Sequence, residues 1–77
     1  MLMTIEELKK VFETDNEVKF KLYSLDYIIK KLEDKVIIYP IIYETKKSIY
    51  NSLDELLNNY LIYGETIGDN ESRINKI

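Results

Sequence analysis

Two pairs of adjacent carboxylates, Glu33 with Asp34 and Asp54 with Glu55, are of the residue type that in principle serves as general acid or base. Such work requires one carboxyl to keep its proton near neutral pH, which takes burial or a crowding like charge. Both pairs fall instead where a turn or a helix cap calls for acids. No catalytic residue is expected from them, and the chain reads as a non-enzyme. It has no Cys and no His, so thiolate nucleophiles, imidazole bases, disulfides and the usual nitrogen- or sulfur-ligated metals are ruled out. Gly64 and Gly68 lack the strand, glycine-rich turn and helix that cradle a phosphate. No cofactor and no metal are expected.

Binding chemistry has more to work with, because charge is segregated along the chain. Residues 1–17 hold two Lys against five acids, residues 18–51 seven Lys against four acids, and residues 52–77 two basic groups against five acids. Lys19, Lys21, Lys30, Lys31, Lys46 and Lys47 beside Tyr23, Tyr39 or Tyr43 would suit phosphates and stacked bases. Lysines also blunt exposed strands against edge pairing, and the net charge is −3, so a nucleic-acid partner is not the preferred reading. The acidic ends, with Asp54 and Glu55 among them, could imitate a row of phosphates; acids in a first helical turn equally favour the helix dipole.

What remains is apolar and aromatic surface. The chain is 45% hydrophobic and holds seven Tyr but no Trp. A chain this short buries only about 60% of the surface its unfolded form exposes. The run Val36 to Tyr43 is apolar at almost every position, which demands cover on both faces or leaves one face sticky. Tyr23, Tyr39, Ile41, Tyr43 and Tyr50, with Asp54 and Glu55, are therefore the candidate partner-binding residues. The expected partner is another protein, with self-association through the sheet also open.

The elements that must position these residues follow from periodicity. Thr4 and Glu7 have capping-box spacing, and Ile5, Leu8 and Phe12 share a face, so a helix is predicted over residues 5–13. Val18, Phe20 and Leu22 alternate with Lys19, Lys21 and Tyr23, the signature of a strand with one buried face. Residues 24–34 fit either a strand over 27–32 or a helical stripe capped by Ser24. The strand is preferred because Glu33-Asp34-Lys35 then turns it into Val36–Tyr39 as a hairpin. Pro40, which has no N–H to give a ladder, marks a bulge, bend or edge, and a short strand follows over 47–50. Ser52 with Glu55 repeats the cap spacing, and Leu53, Leu56, Leu57, Tyr60 and Leu61 form an amphipathic stripe ended by Gly64 as a left-handed stop. The fold class is α+β: an N-terminal helix, an antiparallel sheet of three to four strands, and a C-terminal helix packed on one sheet face. Residues 1–68 form a single domain and residues 69–77 a mobile tail, with Ile74 and Ile77 as anchors.

The segment Ser48-Ile49-Tyr50-Asn51-Ser52-Leu53-Asp54-Glu55-Leu56-Leu57-Asn58-Asn59-Tyr60-Leu61-Ile62-Tyr63-Gly64 resembles small accessory proteins of phages and prophages of low-GC Gram-positive bacteria. In those, a β-meander ends in a short strand and a helix closed by glycine. The resemblance implies no catalytic residues. It implies a protein that binds and redirects or blocks a host protein, including nucleases of defence systems, in the host cytoplasm. No apolar run approaches the roughly 18 residues of a membrane span, and Glu6 and Glu7 stand where a signal peptide would carry lysines, so a cytoplasmic location without membrane contact is expected.

Overall fold

The computed structural model describes residues 1–77. Its first helix, α1, spans Ile5–Asp15 and begins as the Thr4/Glu7 spacing requires. The Glu7 amide donates to Thr4 Oγ1 at 3.1 Å, and the Thr4 amide donates to Glu7 Oε1 at 3.1 Å. The helix stops at Asn16, whose left-handed φ of 60° lets its amide reach back to the Phe12 carbonyl.

Three strands follow as a meander: β1 (Glu17–Leu22), β2 (Leu25–Leu32) and β3 (Lys35–Pro40). The segment that fitted two patterns is thus a strand. Two-residue turns join the three, with positive φ at Tyr23 and Ser24 in the first and at Glu33 in the second. Positive φ at the centre of such a turn matches the right-handed twist of the flanking strands. Opposite partners such as Phe20 with Tyr27 and Ile29 with Ile38 set the register. Because side chains alternate, this register puts Val18, Phe20, Leu22, Tyr27, Ile29, Val36 and Ile38 into the main core.

The apolar run does not continue as a strand to Tyr43. Pro40 is the last strand residue, and Ile41–Tyr43 form one turn of 3-10 helix, as a residue without an amide donor would impose. The chain then returns as β4 (Ser48–Tyr50), paired with Val36–Ile38 of β3.

Helix α2 covers Leu53–Asn59, with the Glu55 amide donating to Ser52 Oγ at 3.1 Å. It is shorter than its apolar stripe suggests. Leu61–Ile62 (β5) and Glu65–Thr66 (β6) form a small hairpin around Tyr63 and Gly64, with φ of 53° and 79°. Gly64 therefore serves a hairpin turn and not a helix stop. Leu8 and Phe12 of α1 meet Leu56 and Leu57 of α2 in the same core, over one face of the sheet.

The stretch expected to be a mobile tail is built into the domain instead. A 3-10 segment over Gly68–Arg73 leads to β7 (Asn75–Lys76), which pairs antiparallel with Phe20 and Lys21. Asn70 and Ile74 are completely buried. The sheet thus has five strands in the order β4-β3-β2-β1-β7, all antiparallel, beside the two-stranded β5-β6 hairpin. No helix is long and apolar enough to cross a membrane.

Candidate interaction surface

The same alternation that fills the core sends a second set of side chains to the helix-free face. Lys19, Ile28 and Tyr39 lie in register across it, as do Lys30, Ile37 and Ile49. Ile28, Ile37 and Tyr39 bury one another in a small cluster of their own. Each is more than nine-tenths covered, so the two-faced run is hidden in part by itself. The Lys47 ammonium stands 5.5 Å from the centre of the Tyr39 ring and the Lys46 ammonium 5.2 Å from that of Tyr43. These cation–π contacts occupy a face of each ring, and buried Tyr39 has none left for a stacking base.

The remaining greasy residues of this region stay in water. Ile41 is 39% exposed, Ile42 69%, Tyr43 48% and Ile49 63%. Ile41, Ile42 and Tyr43 lie on the connection between β3 and β4, and Ile49 lies on β4 itself. Lys46 and Lys47 follow on the same connection, Lys30 lies in register with Ile37 and Ile49, and Lys35 reaches Asn51 just past β4.

The other residues predicted for binding do not join this group. The Tyr23 hydroxyl donates to the buried Asn70 Oδ1 at 2.7 Å, and its ring meets the Tyr63 ring edge-on at 5.1 Å between centroids. Tyr23 thereby ties the β1–β2 turn to the β5–β6 turn. Tyr50, opposite Val36, is half-buried against the main core on the helix side. Asp54 and Glu55 sit in the first turn of α2, and Asp54 pairs with Lys9 of α1 at 3.2 Å. Of the seven candidates, Ile41 and Tyr43 are exposed on the β3–β4 connection, Tyr39 is buried beside it instead of being free for a partner, and Tyr23, Tyr50, Asp54 and Glu55 lie elsewhere.

Sequence reasoning missed Ile42 and Ile49. Ile49 was within reach, since Tyr50 leads into the helical stripe of Leu53 and must face the core, which turns its neighbour outward. Ile42 was not, because the strand pattern through Tyr43 gave no hint of a 3-10 turn.

Acid–base chemistry finds no matching arrangement. The one cleft, about 430 Å³, lies between the end of α1, the start of β1 and the C-terminus; Asp15, Glu17, Lys19 and Lys76 line it with Met3, Val11, Val18 and Ile77. Glu33, Asp34, Asp54 and Glu55 are not among its walls. No three His, Cys, Asp or Glu side chains stand close enough to hold a metal ion. Burial raises the Tyr27 and Tyr60 phenols above the usual tyrosine value, while the Thr4 amide and hydroxyl hold the Glu7 carboxyl below 4.5. Each of these shifts has a structural origin in the core or in the helix cap. Comparison with protein-family models, with curated proteins and with solved structures finds no match to this chain.

Proposed function

We propose that this protein acts by contact, as a non-catalytic module that binds another protein through the β3–β4 end of its sheet. The observation that carries this reading is that Ile41, Ile42 and Tyr43, consecutive in the chain, and Ile49 on the strand that follows are all left in water, whereas the other exposed large apolar residues, such as Met1, Leu32, Leu61, Tyr63 and Ile77, fall singly or in pairs at the termini and turns. Branched and aromatic side chains at the centre with charged groups at the rim are the anatomy of a protein interface. The resemblance of residues 48–64 to phage accessory proteins makes a host nucleic-acid enzyme, such as a defence nuclease, the partner class to examine first.

Affinity capture from host-cell lysate with the full chain tests the reading, with Ile42→Asp as the control. Ile42 is exposed, so the substitution leaves the core intact while placing a charge in the contact. Retention of a protein by the native chain and its loss with Ile42→Asp is the expected result. Equal retention by both chains, or none by either, overturns it. A nucleic-acid binder using the same lysines would hold an oligonucleotide at low salt and release it steeply as salt rises; no such binding is expected.

A further inference from the structure

The two edges of the five-stranded sheet are treated differently by the chain itself. At the β7 edge the N-terminal residues close the ladder. The Lys76 amide donates to the Met1 carbonyl at 2.9 Å, the Met3 amide donates to the Ile74 carbonyl at 2.9 Å, and Leu2 bridges Asn75. At the β4 edge nothing does. Ser48, Ile49 and Tyr50 make no backbone or side-chain hydrogen bond outside their pairing with β3. An antiparallel ladder turns alternate N–H and C=O groups away from its neighbour, so this edge offers unpaired groups to an added strand. Neither a proline nor a charged side chain stands within β4 to deter one.

The side chains along this edge define what would add. Ile49, at its centre, points to the helix-free face. Two residues before it, Lys47 lies on that same face, its ammonium above Tyr39. Two residues after it, Asn51 accepts a hydrogen bond from the Lys35 ammonium. The edge thus reads cation, apolar, cation at the two-residue repeat of a strand. An isologous pairing of two copies about Ile49 would set each Lys47 opposite the other copy's Asn51 with its attached Lys35, bringing like charges together twice.

Resting on the reading of this end as a protein-binding surface, we infer that β4 recruits an extended segment of a partner protein as a sixth strand, and that this segment alternates acidic, apolar and acidic residues opposite Lys47, Ile49 and Asn51. Main-chain bonds supply the attachment and the alternate side chains its selectivity.

The probe is a synthetic peptide of alternating Glu and Val, titrated into the full chain at low salt and followed by amide chemical shifts and hydrogen exchange. A peptide of alternating Lys and Val is the charge control. The acidic peptide is expected to bind with Kd below about 1 mM, to shift Ser48–Tyr50, and to slow exchange of the outward β4 amides. The basic peptide binds at least tenfold more weakly, and Ile49→Asp or the double change Lys35→Glu, Lys47→Glu weakens the acidic one at least tenfold with the fold intact by circular dichroism. Equal binding of both peptides, shifts that map elsewhere, or no binding at 1 mM overturns the inference. So does a dimer in sedimentation that Ile49→Asp dissolves, since a second copy then holds the edge. If the peptide fails while a lysate partner is still lost with Ile42→Asp, only strand addition falls and the contact surface stands.

Discussion

Asn70 is a fully buried polar side chain, bonded to two neighbours in its own segment, Thr66 and Arg73, and to Tyr23 from the distant β1–β2 turn. Its Oδ1 accepts from the Tyr23 hydroxyl at 2.7 Å and from Arg73 Nη1 at 3.3 Å, and its Nδ2 donates to the Thr66 carbonyl at 2.9 Å. Removing a donor to a buried acceptor exposes much of that acceptor's desolvation cost. Tyr23→Phe keeps the ring against Tyr63 and deletes only the shorter bond, so a loss of about 1 kcal/mol is expected in urea denaturation; an unchanged midpoint would show the clasp to be idle. Partner capture should survive this change, since Tyr23 is engaged within the fold. Glu7 supplies a second prediction, on pH. Its carboxylate accepts from the Thr4 amide, which lowers its pKa beneath the ordinary 4.5. A lowered folded-state value means that the stabilisation is present above pH 4.5 and is lost as pH falls through the folded-state pKa. Glu7→Gln should therefore flatten the stability curve on the acid side of that value and leave its slope at neutral pH unchanged, as denaturation at stepped pH would reveal.

At the scale of elements, the turns hold the strain. Tyr23, Ser24, Glu33 and Tyr63 all adopt positive φ, where a side chain crowds its own backbone by about 1 kcal/mol or more per residue. Ser24 and Glu33 make no side-chain hydrogen bond that a glycine would forfeit. Ser24→Gly and Glu33→Gly should each raise stability by about 0.5 kcal/mol, strain relief being partly offset by the freer unfolded chain. Gly64→Ala should lower it by about 1 kcal/mol: nothing lies within 4 Å of an added Cβ, so backbone conformation alone sets the cost. Urea midpoints moving in these opposite directions are the check. These turns also explain how far the sequence could be read. The caps at Thr4 and Ser52 and the alternation through Val18, Phe20 and Leu22 are local signals, and the structure has both caps and the strand. Leu61 continued a helical stripe at the right spacing, yet the helix ends at Asn59 because Ile62 and Glu65 pair across Tyr63-Gly64; a hairpin of two-residue strands is too short to show a period. Ile41–Tyr43 failed for the converse reason. Their apolar character reads as a strand, but side chains left in water impose no periodicity, and only Pro40 marked the break. Of the candidate surface, Tyr39, Ile41 and Tyr43 were legible as excess apolar groups, whereas the burial of Tyr39 and the exposure of Ile41 and Tyr43 depended on how the loop returns to β4.

At the scale of the molecule, the C-terminal residues close the core that the rest of the chain leaves open. Ile74 is fully buried among residues from both helices and the sheet, while β7 seals the edge of β1 and Met1–Met3 in turn pair with β7. Glu71 adds a link from this segment to α1, its Oε2 accepting from the Ile5 amide at 2.8 Å. The radius of gyration is 11.2 Å, and so small a body has no spare interior with which to refill a hole. Truncating a buried isoleucine to alanine costs about 2–5 kcal/mol where the surroundings cannot collapse, against a total stability of about 5–15 kcal/mol for a domain. Each kcal/mol moves the midpoint of a domain this size by about 4–8 °C. Ile74→Ala should thus lower Tm by about 10 °C or more, whereas Ile77→Ala, which alters a side chain 59% exposed, should leave it nearly unchanged. A tail that merely rests on the surface would give the two variants equal melting curves, whereas a segment that completes the core through Ile74 separates them widely.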